Sequence, residues 1–188
     1  CLPACMGARA WPFVGREDLV AGVISALDTS GCVVLTGRAG LGKTRAAIET
    51  TTRLADAGIV TARVVASPAA SPVPLAPFAH LIGAETGAAA VTAVLAVLGT
   101  DRRRGAADPV LVVDDAHLLD EASATVVQQV SVSGSVRVLA TMRTGATVPD
   151  AIERLMVDAD VAVIDVAPMA DEAILEMVEA ALQGPLDL

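Results

Sequence analysis

The residues most capable of chemistry lie in one short segment, which contains Lys43, the only lysine of the chain. The octet from Gly37 to Thr44 matches the phosphate-binding P-loop pattern G-x-x-x-x-G-K-[ST]. Its glycines let backbone N–H groups surround phosphate oxygens without interference from Cβ atoms. The lysine adds a compact positive charge for the β- and γ-phosphates, and the threonine hydroxyl suits Mg²⁺. The predicted nucleotide-binding residues here are Gly37, Arg38, Ala39, Gly40, Leu41, Gly42, Lys43, Thr44 and Arg45.

The flanking segments fit this motif, which is convincing only between a strand and a helix. Residues 32–36 are a short apolar, β-prone run that predicts a buried parallel strand. Residues 44–57 predict a helix with Ile48 on its inner face, and Gly58 is a stop signal. The free N–H groups at the start of that helix attract phosphates. The alternative, a glycine-rich turn that binds nothing, is disfavoured by this context.

A second segment joins a predicted strand to two carboxylates. Residues 110–113 are apolar and β-prone, and Asp114 and Asp115 follow them directly. Ligands of open α/β sheets lie at the carboxyl ends of the strands, so we expect both side chains beside the P-loop. Asp114 is then a Mg²⁺ ligand, acting through water, and Asp115 is the candidate to polarise an attacking water. The alternative is a solvated strand end that caps the next helix.

The residue type at position 115 leaves the extent of turnover open. A general base has to reach its water at about 3 Å. Asp115 is one methylene shorter than the glutamate often found at this place. The sequence therefore supports both a hydrolase and a nucleotide-gated switch.

The elements that must position these residues alternate along the chain, and strands that alternate with helices imply a parallel sheet. The last helix is amphipathic, and we expect it to turn Ile174 and Leu182 inward. The helix after the two aspartates begins at a cap from Asp115 or near Asp120. The predicted strands span residues 32–36, 59–66, 110–113, 136–141 and 161–166. The predicted helices span residues 19–27, 44–57, 78–98 with a break near 83–87, 118–130, 150–158 and 171–182.

Composition and charge disfavour several other functions. A net charge of −9 opposes unassisted binding to nucleic acid, whose affinity rests largely on cation–phosphate contacts. The one basic cluster, residues 102–104, is too short to reverse this and is expected in a solvated loop. The longest apolar stretch, residues 88–98, is too short to span a bilayer. Three cysteines without a secretory signal favour reduced thiols and a cytoplasmic location.

Several segments, together with the P-loop, carry a resemblance to a known family. Residues 112–120 are close to the family's Walker B motif, and residues 13–17 are similar to the segment before its first strand. Residues 139–143 resemble a strand that ends in a sensor arginine, and residues 166–173 resemble the junction before a lid. The chain thus resembles, over roughly residues 12–184, the P-loop ATPase domain of large LuxR-type (MalT-like) transcription regulators, in the STAND branch of the AAA+-related NTPases.

The resemblance implies roles for individual residues. It implies ATP and Mg²⁺ as ligands. The preference for adenine over guanine rests on this resemblance alone. It also places Arg143 at the γ-phosphate, where a planar guanidinium can report whether that group is present; the alternative is an ordinary loop cation. His117 is predicted to be a packed or capping histidine rather than a catalyst. The residues implied near the adenine are Val14, Gly15 and Arg16, and the predicted catalytic residues are Asp115, Lys43 and Arg143.

The predicted fold class is an α/β P-loop NTPase, a three-layer α/β/α sandwich with a mainly parallel five-stranded sheet. We expect a leader at residues 1–12, the ATPase core at 13–168 and the start of a truncated lid at 169–188. The resemblance implies a switch that ATP and ADP control, with DNA bound only through a domain absent from this chain. It allows a homo-oligomer that forms on ATP binding and implies no membrane partner.

Two alternative functions remain open at this point. The first is an AAA+-type ATPase motor or loader subunit, which needs an arginine finger from a neighbouring subunit. The second is a scaffold that keeps the P-loop fold but binds no nucleotide. The intact Lys43, Thr44 and Asp114 argue against the scaffold.

Overall fold

The computed structural model describes residues 13–99, 107–157 and 160–182. The predicted leader and the arginine cluster at 102–104 lie outside these ranges. The strands are β1 (Cys32–Thr36), β2 (Thr61–Val65), β3 (Val110–Asp114), β4 (Arg137–Thr141) and β5 (Val161–Asp165). The helices are α1 (Glu17–Ser30), α2 (Lys43–Asp56), α3 (Ala79–Ile82), α4 (Gly87–Val97), α5 (Glu121–Val132), α6 (Asp150–Val157) and α7 (Asp171–Leu182). Short 3-10 helices lie at Ala76–Phe78 and Ala116–Leu118.

The five strands form one parallel sheet in the order β2-β3-β4-β1-β5. Strand β1 therefore lies between β4 and β5, and β4 separates it from β3. Because parallel strands all point the same way, their carboxyl ends meet at one edge of the sheet. Thr36, Asp114 and Thr141 end three of these strands, so their side chains start from that shared edge.

Hydrophobic layers cover both faces of the sheet, because successive strand residues point to opposite sides. In β1, Val33 and Leu35 pack with buried residues of α1 and α2 on one face. Cys32 and Val34 pack with buried residues of α3, α4, α5 and α6 on the other face. The predicted three-layer α/β/α sandwich with a parallel five-stranded sheet is thereby confirmed.

Most predicted elements are present with small shifts at their ends. The first strand and the last helix have the predicted bounds, and the helical region 78–98 is broken into α3 and α4 as expected. Helix α5 begins after Asp120, whose Oδ1 accepts a hydrogen bond from the backbone N–H of Ser123 at 2.9 Å. Of the two predicted starts for this helix, the one near Asp120 is right.

Two predictions about packing are wrong. Ile48 was expected on the inner face of α2 but is 37% exposed, because it faces the cleft beside the P-loop instead of the sheet. Helix α7 has no buried residue, and Ile174 and Leu182 are 42% and 63% exposed. The reason is its position: α7 follows the edge strand β5 and lies beside the P-loop, where Ile174 lines a surface cavity.

Among the described residues, no single helix combines the length and the apolar character needed to cross a membrane. One pair of helical segments, Ala76–Ile82 and Gly87–Val97, is long and apolar enough when the two are taken together. The pair is bent by 57°, and the match rests on length and composition only.

Candidate nucleotide-binding site

The P-loop is the turn that joins β1 to α2. Gly40 and Gly42 have φ angles of 82° and 83°, a left-handed backbone that residues with a Cβ rarely adopt. A Cβ placed on Gly40 would meet no atom within 4 Å, so the loop borders open space. Helix α2 then begins at Lys43 without a side-chain cap. Its first N–H groups therefore remain available to an anion.

Lys43 is held inside this loop. Its side chain is buried, and Nζ donates hydrogen bonds to the carbonyl oxygens of Gly37 at 2.9 Å and Arg38 at 2.8 Å. Burial lowers the pKa of Lys43, and the nearby carboxylate of Asp115 opposes that shift more strongly than Arg143 reinforces it. Among the residues that the structure describes, no carboxylate pairs directly with the ammonium group, so its charge is available to phosphate oxygens.

The carboxylate of Asp114 lies at the end of β3, 2% exposed, and is bonded through both oxygens. Its Oδ1 accepts hydrogen bonds from the hydroxyls of Thr44 at 2.9 Å and Thr141 at 2.7 Å. Its Oδ2 accepts one from Nη2 of Arg63 at 2.6 Å. A carboxylate beside a hydroxyl is the oxygen donor set that Mg²⁺ prefers, so these residues fit the metal.

Asp115 follows in an unusual backbone conformation, with a φ of 55°. Its N–H donates to the hydroxyl of Thr141 at 2.9 Å, so one threonine positions both aspartates. The Asp115 side chain is 33% exposed. Together with Arg143 and Lys43 it lines a cleft of about 410 Å³ over the P-loop. A carboxylate with this exposure, beside the phosphate-binding loop, is available to a water molecule.

His117 lies under the same cleft, in the 3-10 helix after the two aspartates. It is 9% exposed, as expected of a packed histidine, and its buried Nδ1 has no hydrogen-bond partner among the residues described. Nδ1 of His117 lies 3.9 Å from Oδ1 of Asp115. Burial lowers the pKa of His117 and Asp115 raises it, while Arg143 and Lys43 lower it further. The net direction is downward, which favours a neutral imidazole at pH 7.

A second, largely apolar cavity of about 490 Å³ lies on the other side of the P-loop. Val14 and Met169 are among its apolar walls, and it shares Gly40, Gly42 and Arg45 with the phosphate cleft. Apolar walls next to a phosphate-binding loop suit a planar base.

The segment before α1 is fixed at the rim of this cavity. Arg16 donates from Nη2 to the carbonyl oxygen of Ala167 at 2.8 Å. Gly15 lies against α7, because a Cβ there would come within 2.6 Å of the Cβ of Ala173. Val14 and Arg16 therefore border the cavity, whereas Gly15 allows α7 to approach.

The structure brings most of the predicted site residues to the carboxyl edge of the sheet, around the two cavities, and their roles stay predictions. Two residues that contact Asp114 were not predicted. Thr141 could have been found, because a hydroxyl residue at the carboxyl end of a strand points to the site. Arg63 could not, because its role depends on the pairing of β2 with β3, which the order along the chain does not reveal.

A parallel sheet with a glycine-rich loop after β1 and a buried carboxylate at the end of β3 defines a P-loop NTPase. The family model described as the AAA domain matches residues 26–147, well over half of the chain. The chain belongs to the AAA domain family, and it is an AAA-type P-loop ATPase domain. Members of this class bind nucleotide and typically Mg²⁺.

Solved structures share this fold at low sequence identity. PCH-2 of C. elegans is 17% identical with a TM-score of 0.54, and the match covers 89% of this chain and 47% of that one. Hsp104 of S. cerevisiae, in a complex with ADP, is 18% identical with a TM-score of 0.58, covering 90% and 24%. A chain of the HORMA:CdnC:Trip13 complex of E. coli MS115-1 is 15% identical with a TM-score of 0.60, covering 94% and 70%.

These likenesses define the fold alone. The chain spans about half the length of the PCH-2 chain and about a quarter of the Hsp104 chain. A search of curated proteins finds no match.

Proposed function

We propose that this chain is the ATP- and Mg²⁺-binding domain of a LuxR-type transcription regulator, and that it acts as a nucleotide-dependent switch. One observation carries the nucleotide-binding part of the proposal: the hydroxyl of Thr44 lies 2.9 Å from Oδ1 of Asp114, directly beside a P-loop in which Lys43 has no direct carboxylate partner among the described residues. Thr44 at the start of α2 and Asp114 at the end of β3 meet where a metal-bound triphosphate needs oxygen ligands.

The residues of the P-loop bind the phosphates in this proposal. Lys43 leaves the carbonyl oxygens of Gly37 and Arg38 and donates to the β- and γ-phosphates. Thr44 and Asp114 would hold Mg²⁺. Mg²⁺, when bound, supplies positive charge that neutralises the phosphate oxygens.

The residues around the loop select and read the nucleotide. The apolar cavity beside Val14 and Arg16 accepts the adenine. Arg143 reaches the γ-phosphate from the cleft, so its contact is lost when that phosphate is absent. Such a difference in contacts is what allows a ligand to shift a conformational equilibrium. Asp115 orients and polarises a water molecule for slow hydrolysis.

The LuxR-type assignment is supported by the motifs around residues 13–17, 112–120 and 139–143. We assign the ATPase core to residues 13–168 and the start of a lid to 169–188. The position of α7 beside the apolar cavity supports a lid that closes over the base. In this proposal DNA is bound through a separate domain of the regulator, and ATP binding favours a homo-oligomer.

Calorimetric titration with ATP and Mg²⁺ tests the proposal. The chain should bind the nucleotide, and Lys43→Ala should weaken binding by at least about a hundredfold, since a charge in direct phosphate contact is lost. Arg154→Ala is a matched control, because it removes one exposed positive charge on α6, away from the loop. Equal affinity of wild type and Lys43→Ala would refute phosphate binding by this loop.

A motor or loader ATPase of the AAA+ type is the second candidate, and the AAA domain match over residues 26–147 is equally consistent with it. Such an enzyme takes an arginine finger from a neighbouring subunit. Its turnover per chain should therefore rise steeply with protein concentration, whereas a switch should hydrolyse slowly at all concentrations. Asp115→Asn should abolish turnover in either case while leaving ATP binding intact.

A further inference from the structure

An arginine contacts the carboxylate that the proposed function assigns to Mg²⁺. Nη2 of Arg63 donates to Oδ2 of Asp114 at 2.6 Å, within the range of a strong charge-assisted hydrogen bond. The side chain of Arg63 is 36% exposed and that of Asp114 is 3% exposed, so the arginine reaches from the surface to a buried charge.

The contact follows from the pairing of β2 with β3. In this parallel pair Arg63 is aligned with Val112, and Asp114 lies two residues further along the same face of β3. Diagonal neighbours on one face of a sheet are within reach of a long side chain. Strand β2 is at the edge of the sheet, which gives the guanidinium access both to solvent and to the carboxylate.

This ion pair has two opposite consequences for Asp114. In the described part of the chain, the donors to this carboxylate besides Arg63 are the hydroxyls of Thr44 and Thr141. A buried charge with so little compensation is costly, so Arg63 stabilises the metal-free site. The same positive charge, 2.6 Å from an oxygen of the proposed metal ligand, would repel a divalent cation that binds there.

We propose that Arg63 sets the Mg²⁺ requirement of this site: it holds Asp114 in place when no metal is bound and raises the Mg²⁺ concentration at which the metal–nucleotide complex forms. The inference rests on the proposed nucleotide-binding function. Arg63 is a positioning residue here, because it acts on the metal through Asp114. A merely structural role would lower stability on substitution without lowering the Mg²⁺ concentration required.

The test titrates the full chain with a non-hydrolysable ATP analogue at a series of Mg²⁺ concentrations and determines the Mg²⁺ midpoint for tight binding. Arg63→Met removes the charge and keeps a long side chain. We expect its midpoint to fall by at least about threefold, because removing a nearby like charge favours the cation. In EDTA without nucleotide, the same variant should unfold at a lower temperature than wild type, because Asp114 has lost its charged partner.

Arg154→Met is the matched control, because it changes the net charge equally at an exposed position of α6. Its Mg²⁺ midpoint should equal that of wild type. If Arg63→Met does not fold, Arg63→Gln, which keeps a hydrogen-bond donor, should show the same lowered midpoint. An unchanged or higher midpoint in the folded variant overturns the inference while the nucleotide-binding function stands. Failure of the wild type to bind the analogue at any Mg²⁺ concentration overturns both.

Discussion

In the described part of the chain, each end of the sheet buries one lysine or arginine side chain, and the two side chains differ in whether a carboxylate is their partner. At the amino end Arg137 is 7% exposed and donates three hydrogen bonds to two acceptors: one to Oδ1 of Asp28 at 2.5 Å, and two to the carbonyl oxygen of Asp108 at 2.7 and 3.2 Å. At the carboxyl end Lys43 is 6% exposed and donates to the carbonyl oxygens of Gly37 and Arg38. Within the described ranges, the first cation has a carboxylate partner and the second has none.

Other polar groups show the same difference. In the part of the chain that the structure describes, the buried side-chain atoms without a hydrogen-bond partner are Nε of Arg16, Nε of Arg63 and Nδ1 of His117. All three residues lie near the carboxyl end, around the P-loop and the two aspartates. Most buried polar groups in proteins are satisfied, so orphaned ones that cluster are informative. The difference indicates that the amino end is built for stability and the carboxyl end for a ligand.

The largest expected effect comes from replacing each buried cation by methionine. Arg137→Met should lower the free energy of unfolding by about 2 kcal/mol, because it leaves the carbonyl of Asp108 without its donor and breaks the pair with Asp28. Lys43→Met should lower that free energy by much less, because relief of a buried charge offsets the loss of the hydrogen bonds to Gly37 and Arg38. The pKa of Lys43 is lowered by burial, so its charged form opposes folding at neutral pH. Urea titrations of both variants against wild type measure the two values.

Nucleotide binding is the control for this pair. Arg137→Met should bind ATP and Mg²⁺ like wild type wherever it is folded, since Arg137 lies at the far end of β4 from the loop. A comparable loss of stability in both variants would contradict the comparison, because Lys43 would then be a structural cation like Arg137.

The sequence revealed the polar residues at the carboxyl end of the sheet more readily than those at the amino end, for a physical reason. A phosphate-binding loop demands fixed residue types at fixed spacing, so the segment around Lys43 is visible without a structure. The partners of Arg137 come from α1 and from the segment before β3, and their meeting depends on three-dimensional packing. The strands were predictable because each is a short apolar run between turn residues.

Their order in the sheet was not predictable from the same pattern. That order places Thr141 between the P-loop and Asp114, and it places Arg63 against the same carboxylate. The prediction that α7 packs against the sheet was wrong for a related reason. Its amphipathic pattern suggested an inner face, but an amphipathic pattern does not say which surface the face will cover. Here Ile174 turns toward the apolar cavity beside the P-loop.

An intermediate effect is expected from alanine substitution at two glycines, one in the P-loop and one after α5. Gly40 in the P-loop and Gly134 after α5 have φ angles of 82° and 66°, and a Cβ on either would meet nothing within 4 Å. Alanine at each position should therefore cost a similar amount of stability, about 1 kcal/mol, from backbone strain. Only Gly40→Ala should also weaken ATP binding, because its methyl group projects into the space proposed for the phosphates.

Thermal unfolding and calorimetry of the two glycine variants supply the measurement. Equal nucleotide affinity of Gly40→Ala and Gly134→Ala would place the phosphates elsewhere than over this loop. A much larger loss of stability at one glycine would show that the two positions are not equivalent in strain.

The smallest expected effect is on the pH dependence of the free energy of unfolding, and it comes from His117. Burial lowers the pKa of His117 below its ordinary value of 6.5, so between the folded and unfolded values the unfolded chain binds more protons. Stability from this group is therefore complete above about pH 6.5 and is lost as the pH falls through the folded-state pKa. His117→Gln should flatten the pH dependence of the free energy of unfolding in that window.

Urea titrations at intervals from about pH 7 down to about pH 5 measure this slope, with the effect confined below the ordinary histidine pKa. His80→Gln, at an exposed position outside the cleft, is the matched variant for the loss of an imidazole that leaves His117 in place. Identical slopes for wild type and His117→Gln would mean that the imidazole accepts its proton as readily when folded as when unfolded. The site would then tolerate charge at Nδ1, and the contrast between a satisfied amino end and an unsatisfied carboxyl end would rest on the arginines and Lys43 alone.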